Sequence, residues 1–179
     1  MKEKILDAAE RRVRRAGFSE MSFRDLASDV GIKSASVHYH FPTKFDLGDA
    51  LVERYAENFA DRLEAIDQTS LKAALDGYVA LYADALVLGE SICLCAIMGA
   101  EAMGMPGNVN ARTTAFFTMN TDWLEGLFEA QLGDRRADEA AMIVSALEGA
   151  MIVASVSQDR AFFERTARTA LRFAEAPRA

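Results

Sequence analysis

The chain has 179 residues, 51% hydrophobic and 26% charged, which is enough apolar material for a folded core and excludes a disordered chain. Three Pro and 11 Gly are too few for a sandwich or barrel with a turn about every ten residues, so an all-α chain is expected. The net charge of −7 argues against nucleic acid, but residues 1–47 hold 9 Lys and Arg against 7 Asp and Glu, whereas residues 48–179 hold 11 against 20. The sequence thus reads as a small head fit for a polyanion on a long acidic body.

Ile5, Ala9 and Val13, with Leu6 and Ala16 beside them, form a helical stripe over residues 2–16. Arg11, Arg12, Arg14 and Arg15 crowd its last turn, where cations suit the carbonyl end of the helix dipole, and Gly17 ends it. Ser22 is placed to cap a second helix, with Asp25 as the acidic partner three residues on. Phe23, Leu26, Ala27 and Val30 share one apolar face, and Gly31 stops the helix. Residues 34–41 fit a two-turn helix that Pro42 ends.

Thr43 caps a long helix to about Ile66, along which Leu47, Leu51, Tyr55, Phe59 and Leu63 descend at intervals of four. Further helices are expected over 70–88 and 91–104, then from the break at Met105-Pro106-Gly107 to about Leu132. The last two are expected over 137–157 and 160–175. The longest uncharged runs are ten residues, short of the roughly 18 that a membrane-spanning helix needs, so no membrane is expected. The charged N-terminus lacks a secretory leader pattern, and two cysteines two residues apart make no disulfide framework. Both observations point to a soluble protein in a reducing compartment, the cytoplasm.

A supporting helix, a second helix, a glycine corner and a short third helix make a helix-turn-helix arrangement. The short helix must stand out from its domain, and residues 34–41 comply. Val37 and Phe41 anchor it, while Ser34, Ala35, Ser36, His38, Tyr39 and His40 are left facing outward. Small residues at its start let the backbone approach base edges. His38-Tyr39-His40 is not a metal site, because residues two apart on a helix diverge by about 200°. No metal and no cofactor is expected.

The order Ile5-Leu6-Asp7-Ala8-Ala9, Gly17-Phe18, Phe23-Arg24-Asp25-Leu26-Ala27, Gly31-Ile32 and Tyr39-His40-Phe41-Pro42-Thr43-Lys44 resembles the DNA-binding head of the TetR family of bacterial transcriptional regulators. The resemblance implies a DNA-binding domain at 1–47 and a ligand-binding and dimerising domain at 48–179. It implies phosphate contacts for Ser22 and Arg24 and a backbone grip for Tyr39 and Lys44. Ser34, Ala35, Ser36 and His40 would lie near base edges. Two positions depart from the family pattern. Lys33 stands where Ser or Thr often caps the recognition helix, so Ser34 caps instead or Lys33 reaches a phosphate. His38 stands where Tyr is usual, and still has a ring N–H for a phosphate.

In the body, Met and aromatic residues suit an adaptable apolar cavity or an ordinary core. With the family resemblance, Tyr78, Tyr82, Cys95, Met98, Met105, Phe116, Phe117 and Trp123 become candidates to line a small-molecule site. Glu101, the only charge between Glu90 and Arg112, is an exposed face residue or a polar anchor for that ligand. Cys93 and Cys95, read as neighbours on one helix, are taken as buried structural residues. Ala141, Ser145 and Gly149 form a small-residue row, with Met151 beside it. The resemblance implies that this helix and the last one, through Phe163, Ala167 and Leu171, pair with their twins in a homodimer.

No catalytic triad, spaced carboxylate pair or phosphate loop emerges, so no enzyme is expected. The expected function is a ligand-responsive transcriptional regulator, a repressor, that binds palindromic double-stranded operator DNA as a dimer and is released by a small apolar effector. The alternative is a helical ligand-binding or adaptor protein that no longer binds DNA.

Overall fold

The computed structural model describes residues 1–89 and 92–175. Every regular element among them is helical: α1 (Lys2–Ala16), α2 (Phe23–Val30), α3 (Ser34–His40), α4 (Lys44–Glu64), α5 (Leu71–Gly89), α6 (Leu94–Ala100), α7 (Gly107–Leu132), α8 (Ala137–Ser157) and α9 (Arg160–Glu175). The all-α expectation holds. The one expected helix over 91–104 is instead α6 followed by a 3-10 turn at Ala102–Gly104, so Cys93 precedes the helix that contains Cys95.

By its contacts the chain forms two compact units, residues 1–58 with 94–116, and residues 59–93 with 117–179. In the first, α1 buries Ile5, Leu6, Ala8, Ala9 and Val13. Leu26, Ala27, Val37, Phe41, Leu47 and Leu51 add the core residues of α2, α3 and α4, and Leu94, Cys95, Met98 and Phe116 complete it. Ion pairs bind the helices across their polar edges. Arg12 forks onto Asp29, joining α1 to α2, and Arg54 of α4 reaches Glu3, Asp7 and Glu10 of α1.

In the second unit α8 lies along α9, and both pack on α5. Leu75, Tyr78, Tyr82, Leu124, Phe128, Ile143, Leu147, Met151 and Phe163 are among its buried side chains. Over an 18-residue window α8 has the length and composition to cross a membrane, which the uncharged-run criterion missed because Glu148 interrupts the run. Ile143, Leu147, Ala150, Met151 and Ala154 are nevertheless buried against the chain's own helices. This is how the core helix of a globular unit behaves.

Candidate nucleic-acid interface and effector site

The geometry of the head follows from local capping chemistry. The Asp25 N–H donates to Ser22 Oγ at 3.2 Å, and the Ser22 hydroxyl donates to the Asp25 carboxylate at 2.6 Å. This reciprocal cap starts α2 where expected. It also commits the Ser22 hydroxyl to its own helix. Gly31 ends α2 with φ of 71°, the left-handed conformation that costs glycine little. The chain then turns into α3. A second reciprocal cap starts α4: the Thr43 N–H and hydroxyl donate to Asp46, and the Asp46 N–H donates to Thr43 Oγ1.

Between these two caps, α3 is held mainly by Val37 and Phe41, which are 0% and 2% exposed. Burying two such side chains contributes about 1.5–3 kcal/mol each, enough to fix a seven-residue helix that is too short to be stable alone. The rest of α3 faces outward. Ala35, His38 and Tyr39 are exposed, Tyr39 by 84%, and Ser34, Ser36 and His40 are half-buried.

The start of α3 lacks the expected Ser34 cap. Lys33 occupies the cap position, its carbonyl accepting the Ser36 N–H at 2.9 Å, and no side chain caps the helix. Ser34 is the first helical residue, one place too late to cap. Lys33 and Arg24 are exposed, so both ammonium and guanidinium are free to meet a phosphate from solvent. His38 turns back on the chain, its ring 4.7 Å from that of Phe23 and its Nδ1 3.4 Å from the Pro42 carbonyl oxygen.

Lys44 is held more firmly than its sequence position indicates. Its Nζ donates to the Ser19 carbonyl at 2.8 Å and sits 4.9 Å from the centre of the Phe18 ring. Partial burial lowers its pKa, offset in part by Glu101 and Glu20. An ammonium has three donors, and one is spent here.

Glu101 accepts the backbone N–H groups of Phe18 and Ser19, each at 2.8 Å, as well as the Ser19 hydroxyl. Its carboxylate is therefore bound to the α1–α2 turn, which removes it as a free anchor for a ligand. Cys95, Met98 and Phe116 lie in the core of the same unit, and Met105 is half-buried there. Arg112 is engaged by Asp49 and Glu53.

The second unit brings together a different part of the candidate set. Tyr78 and Tyr82 are buried and both donate to Asn120 Oδ1, at 2.8 and 3.3 Å, with 3.2 Å between their hydroxyls. Trp123 stacks on Tyr78 with ring centres 5.4 Å apart and planes 13° from parallel. Phe117 belongs to this unit and is half-buried. Sequence reasoning missed two members, Asn120 and Glu148. Glu148 had a legible signal: it is the only charged residue between Glu139 and Asp159. It is 8% exposed, with Cys93 against its carboxyl. Burial, with Cys93 beside it, pushes its pKa up to about 10.

Of the residues proposed for pairing, Ala141, Ser145 and Gly149 are exposed on α8 and Leu171 is half-buried, whereas Met151, Phe163 and Ala167 lie inside the unit. The exposed face also carries Ile152, Val153 and Val156, and Phe173 stands out from α9, 64% exposed. A groove of about 370 Å³ runs between the two helices, lined in part by Met142, Ala146, Phe162 and Phe173. Among the described residues no group of three or more His, Cys, Asp or Glu could hold a metal ion.

A family model, bacterial regulatory proteins of the tetR family, matches residues 5–51. A TetR transcriptional regulator from Legionella pneumophila is 27% identical over 97% of this chain and 96% of its own, with a TM-score of 0.86. A TetR-family transcriptional regulator from Agrobacterium tumefaciens is 26% identical over 96% and 95%, with a TM-score of 0.90. A comparison with curated proteins found no match.

Proposed function

We propose that this protein, whose head is that of the TetR family and whose whole chain has the fold of TetR-family transcriptional regulators, is a cytoplasmic repressor that binds palindromic DNA as a homodimer and lets go when a small molecule enters the body. The single observation that carries the DNA-binding part is α3 itself, a helix anchored by Val37 and Phe41 and otherwise presented to solvent. In this reading Ser34, Ala35, Ser36 and His40 meet base edges in the major groove. Arg24, Lys33, Tyr39 and Lys44 meet phosphates and fix the register. Lys44 acts from a position set by Ser19 and Phe18, so little conformational entropy is lost on contact.

The partner surface of this reading is the exposed row Ala141, Ser145 and Gly149, extended by Ile152 and Val156. Small residues allow a second helix to approach closely, and exposed Val and Ile reward it. Two-fold pairing would put the recognition helices about 34 Å apart, or a small multiple, as one turn of duplex requires.

Effector control runs through covalent continuity. Cys93 lies beside Glu148 in the second unit, and the next residue, Leu94, begins α6 in the first. At the far end of the same segment Glu101 holds the turn before α2. A ligand that displaces residues near Cys93 pulls on this segment and so on the head. A tenfold release needs only about 1.4 kcal/mol of differential binding.

The test is a footprint on a duplex selected from random sequence, with the oligomeric state measured in parallel. A two-fold symmetric footprint and a dimer support the reading. A stable monomer at micromolar concentration, or protection without symmetry, refutes it.

A further inference from the structure

We infer that Glu101 is a positioning residue for DNA binding: through Ser19 it holds the Lys44 ammonium where a backbone phosphate meets it. The inference rests on the DNA-binding reading above and adds to it a residue outside the helix-turn-helix.

Ser19 is the junction. It is exposed, in the turn between α1 and α2. Among the described residues no backbone hydrogen bond reaches it, and its polar groups have two partners, both side chains. Glu101 takes its N–H at 2.8 Å and its hydroxyl, and Lys44 Nζ donates to its carbonyl oxygen at 2.8 Å. One small residue thus joins the segment after α6 to the first residue of α4. Phe18 runs beside it. The Phe18 N–H goes to the other oxygen of Glu101 at 2.8 Å, and its ring lies 4.9 Å from Lys44 Nζ. That ring is buried between α4 and α6. A Cβ on Gly48 would stand 2.9 Å from it and 3.7 Å from Met98 Cε. Gly48 is one turn along α4 from Lys44, so both face Phe18.

Lys44 is therefore fixed at both ends. The reciprocal cap of Thr43 and Asp46 sets its backbone at the start of α4, while Ser19 and Phe18 set its ammonium. Partial burial disfavours the charge, and the Glu101 and Glu20 carboxylates favour it. One of the three N–H donors is used on Ser19, which leaves two for a phosphate.

A free lysine side chain loses much rotamer freedom when a phosphate fixes it. Here that freedom is restricted before DNA arrives, on condition that Ser19 stays in place. Without Glu101 nothing else holds the Ser19 N–H, and Lys44 is tied to a loose turn. Removing a carboxylate near Lys44 has a second effect of opposite sign, a stronger attraction for a polyanion. Screening over about 8 Å at physiological salt weakens that effect, whereas a lost contact is lost at any salt. The two effects also differ in what carries them. Positioning needs an acceptor at residue 101, and attraction depends on its charge alone.

The experiment measures the affinity of the full chain for the selected duplex at several salt concentrations. The proteins are the wild type, Glu101→Ala, Glu101→Gln, Lys44→Ala and the double variant of Glu101→Ala with Lys44→Ala. Lys44→Ala should bind about tenfold more weakly than wild type. Glu101→Ala should bind at least about threefold more weakly, with a lower salt slope. Glu101→Gln lacks the same charge but keeps an acceptor, and should bind more tightly than Glu101→Ala. In the Lys44→Ala background, Glu101→Ala should change affinity by less than about twofold, because its route is gone. Amide exchange gives the reciprocal reading: saturating duplex should slow exchange at Phe18 and Ser19 in wild type and not in Lys44→Ala. Additive losses in the double variant, or Ala and Gln variants that both bind more tightly than wild type, overturn the inference and leave DNA binding intact. If Glu101→Ala does not melt cooperatively, the exchange comparison decides, since it needs only wild type and Lys44→Ala. Equal slowing in both proteins, or none in either, then overturns the inference. A chain that binds no duplex refutes the DNA-binding reading and this inference with it.

Discussion

Glu101 and Ser19 are joined twice, by the Ser19 backbone N–H at 2.8 Å and by its hydroxyl, and the same carboxylate takes the Phe18 N–H. Gly17 makes this approach possible. A Cβ there would stand 2.7 Å from Glu101 Oε1, and its φ of 93° and ψ of 159° belong to a region almost exclusive to glycine. Replacing Glu101 with Ala strands two backbone donors, so we expect a loss of about 1–3 kcal/mol in urea unfolding. Glu101→Gln keeps an acceptor oxygen and should cost less. If Glu101→Ala unfolded at the wild-type midpoint, the turn would not depend on this clamp.

Lys44 separates positioning from reading. Lys44→Ala should weaken binding to all duplexes alike and lower the slope of log affinity against log salt by about 1. Lys44→Arg keeps the charge and should keep the slope. Ser36→Ala and His40→Ala should instead change the preferred base at one position, by about 1–3 kcal/mol. An unchanged slope in Lys44→Ala would remove Lys44 from the phosphate contacts.

Gly149 is exposed on α8, and a Cβ built there meets nothing within 4 Å. A single chain should tolerate Gly149→Lys and gain roughly 0.5–1 kcal/mol of helix propensity. The proposed homodimer should not tolerate it, because a long charged side chain enters the small-residue row. Sedimentation should show the variant as a monomer with an unimpaired melting transition. A variant that remained a dimer would place the interface elsewhere.

The pKa of Glu148 rises from 4.5 to about 10 on folding. The stability associated with the protonated acid is complete below pH 4.5 and is lost as pH climbs through this window. By pH 7 the loss relative to pH 4.5 is about 3 kcal/mol. Glu148→Gln cannot ionise and should be flatter across this range, with the difference between the two proteins growing as pH rises. Denaturant curves at three pH values check this, and parallel curves for the two proteins would show that Glu148 is not held neutral.

Helix boundaries were legible in the sequence wherever the signal was local. Ser22 with Asp25, Gly31, Pro42 and Thr43 with Asp46 each fix a start or a stop within a few residues: α2 and α3 begin and end beside them, and α4 begins there. The anchors Val37 and Phe41 were readable for the same reason, as were the solvent-facing residues of α3 that make the candidate DNA surface. What depended on long-range packing was not readable. Glu101 meets Phe18 and Ser19 across more than 80 residues, and nothing in its neighbourhood distinguishes a clamp from an exposed face or a ligand anchor. The candidate pocket likewise divides, with Tyr78, Tyr82 and Trp123 in one unit and Cys95, Met98 and Phe116 in the other. On α8 the reason is plainest. The helix is apolar on nearly every side, so its periodicity announces a helix without saying which face turns inward. Only the packing of α5 and α9 against it decides that Met151 is core, that Gly149 is surface, and that Glu148, the one charge of α8 beyond its first turn, is buried.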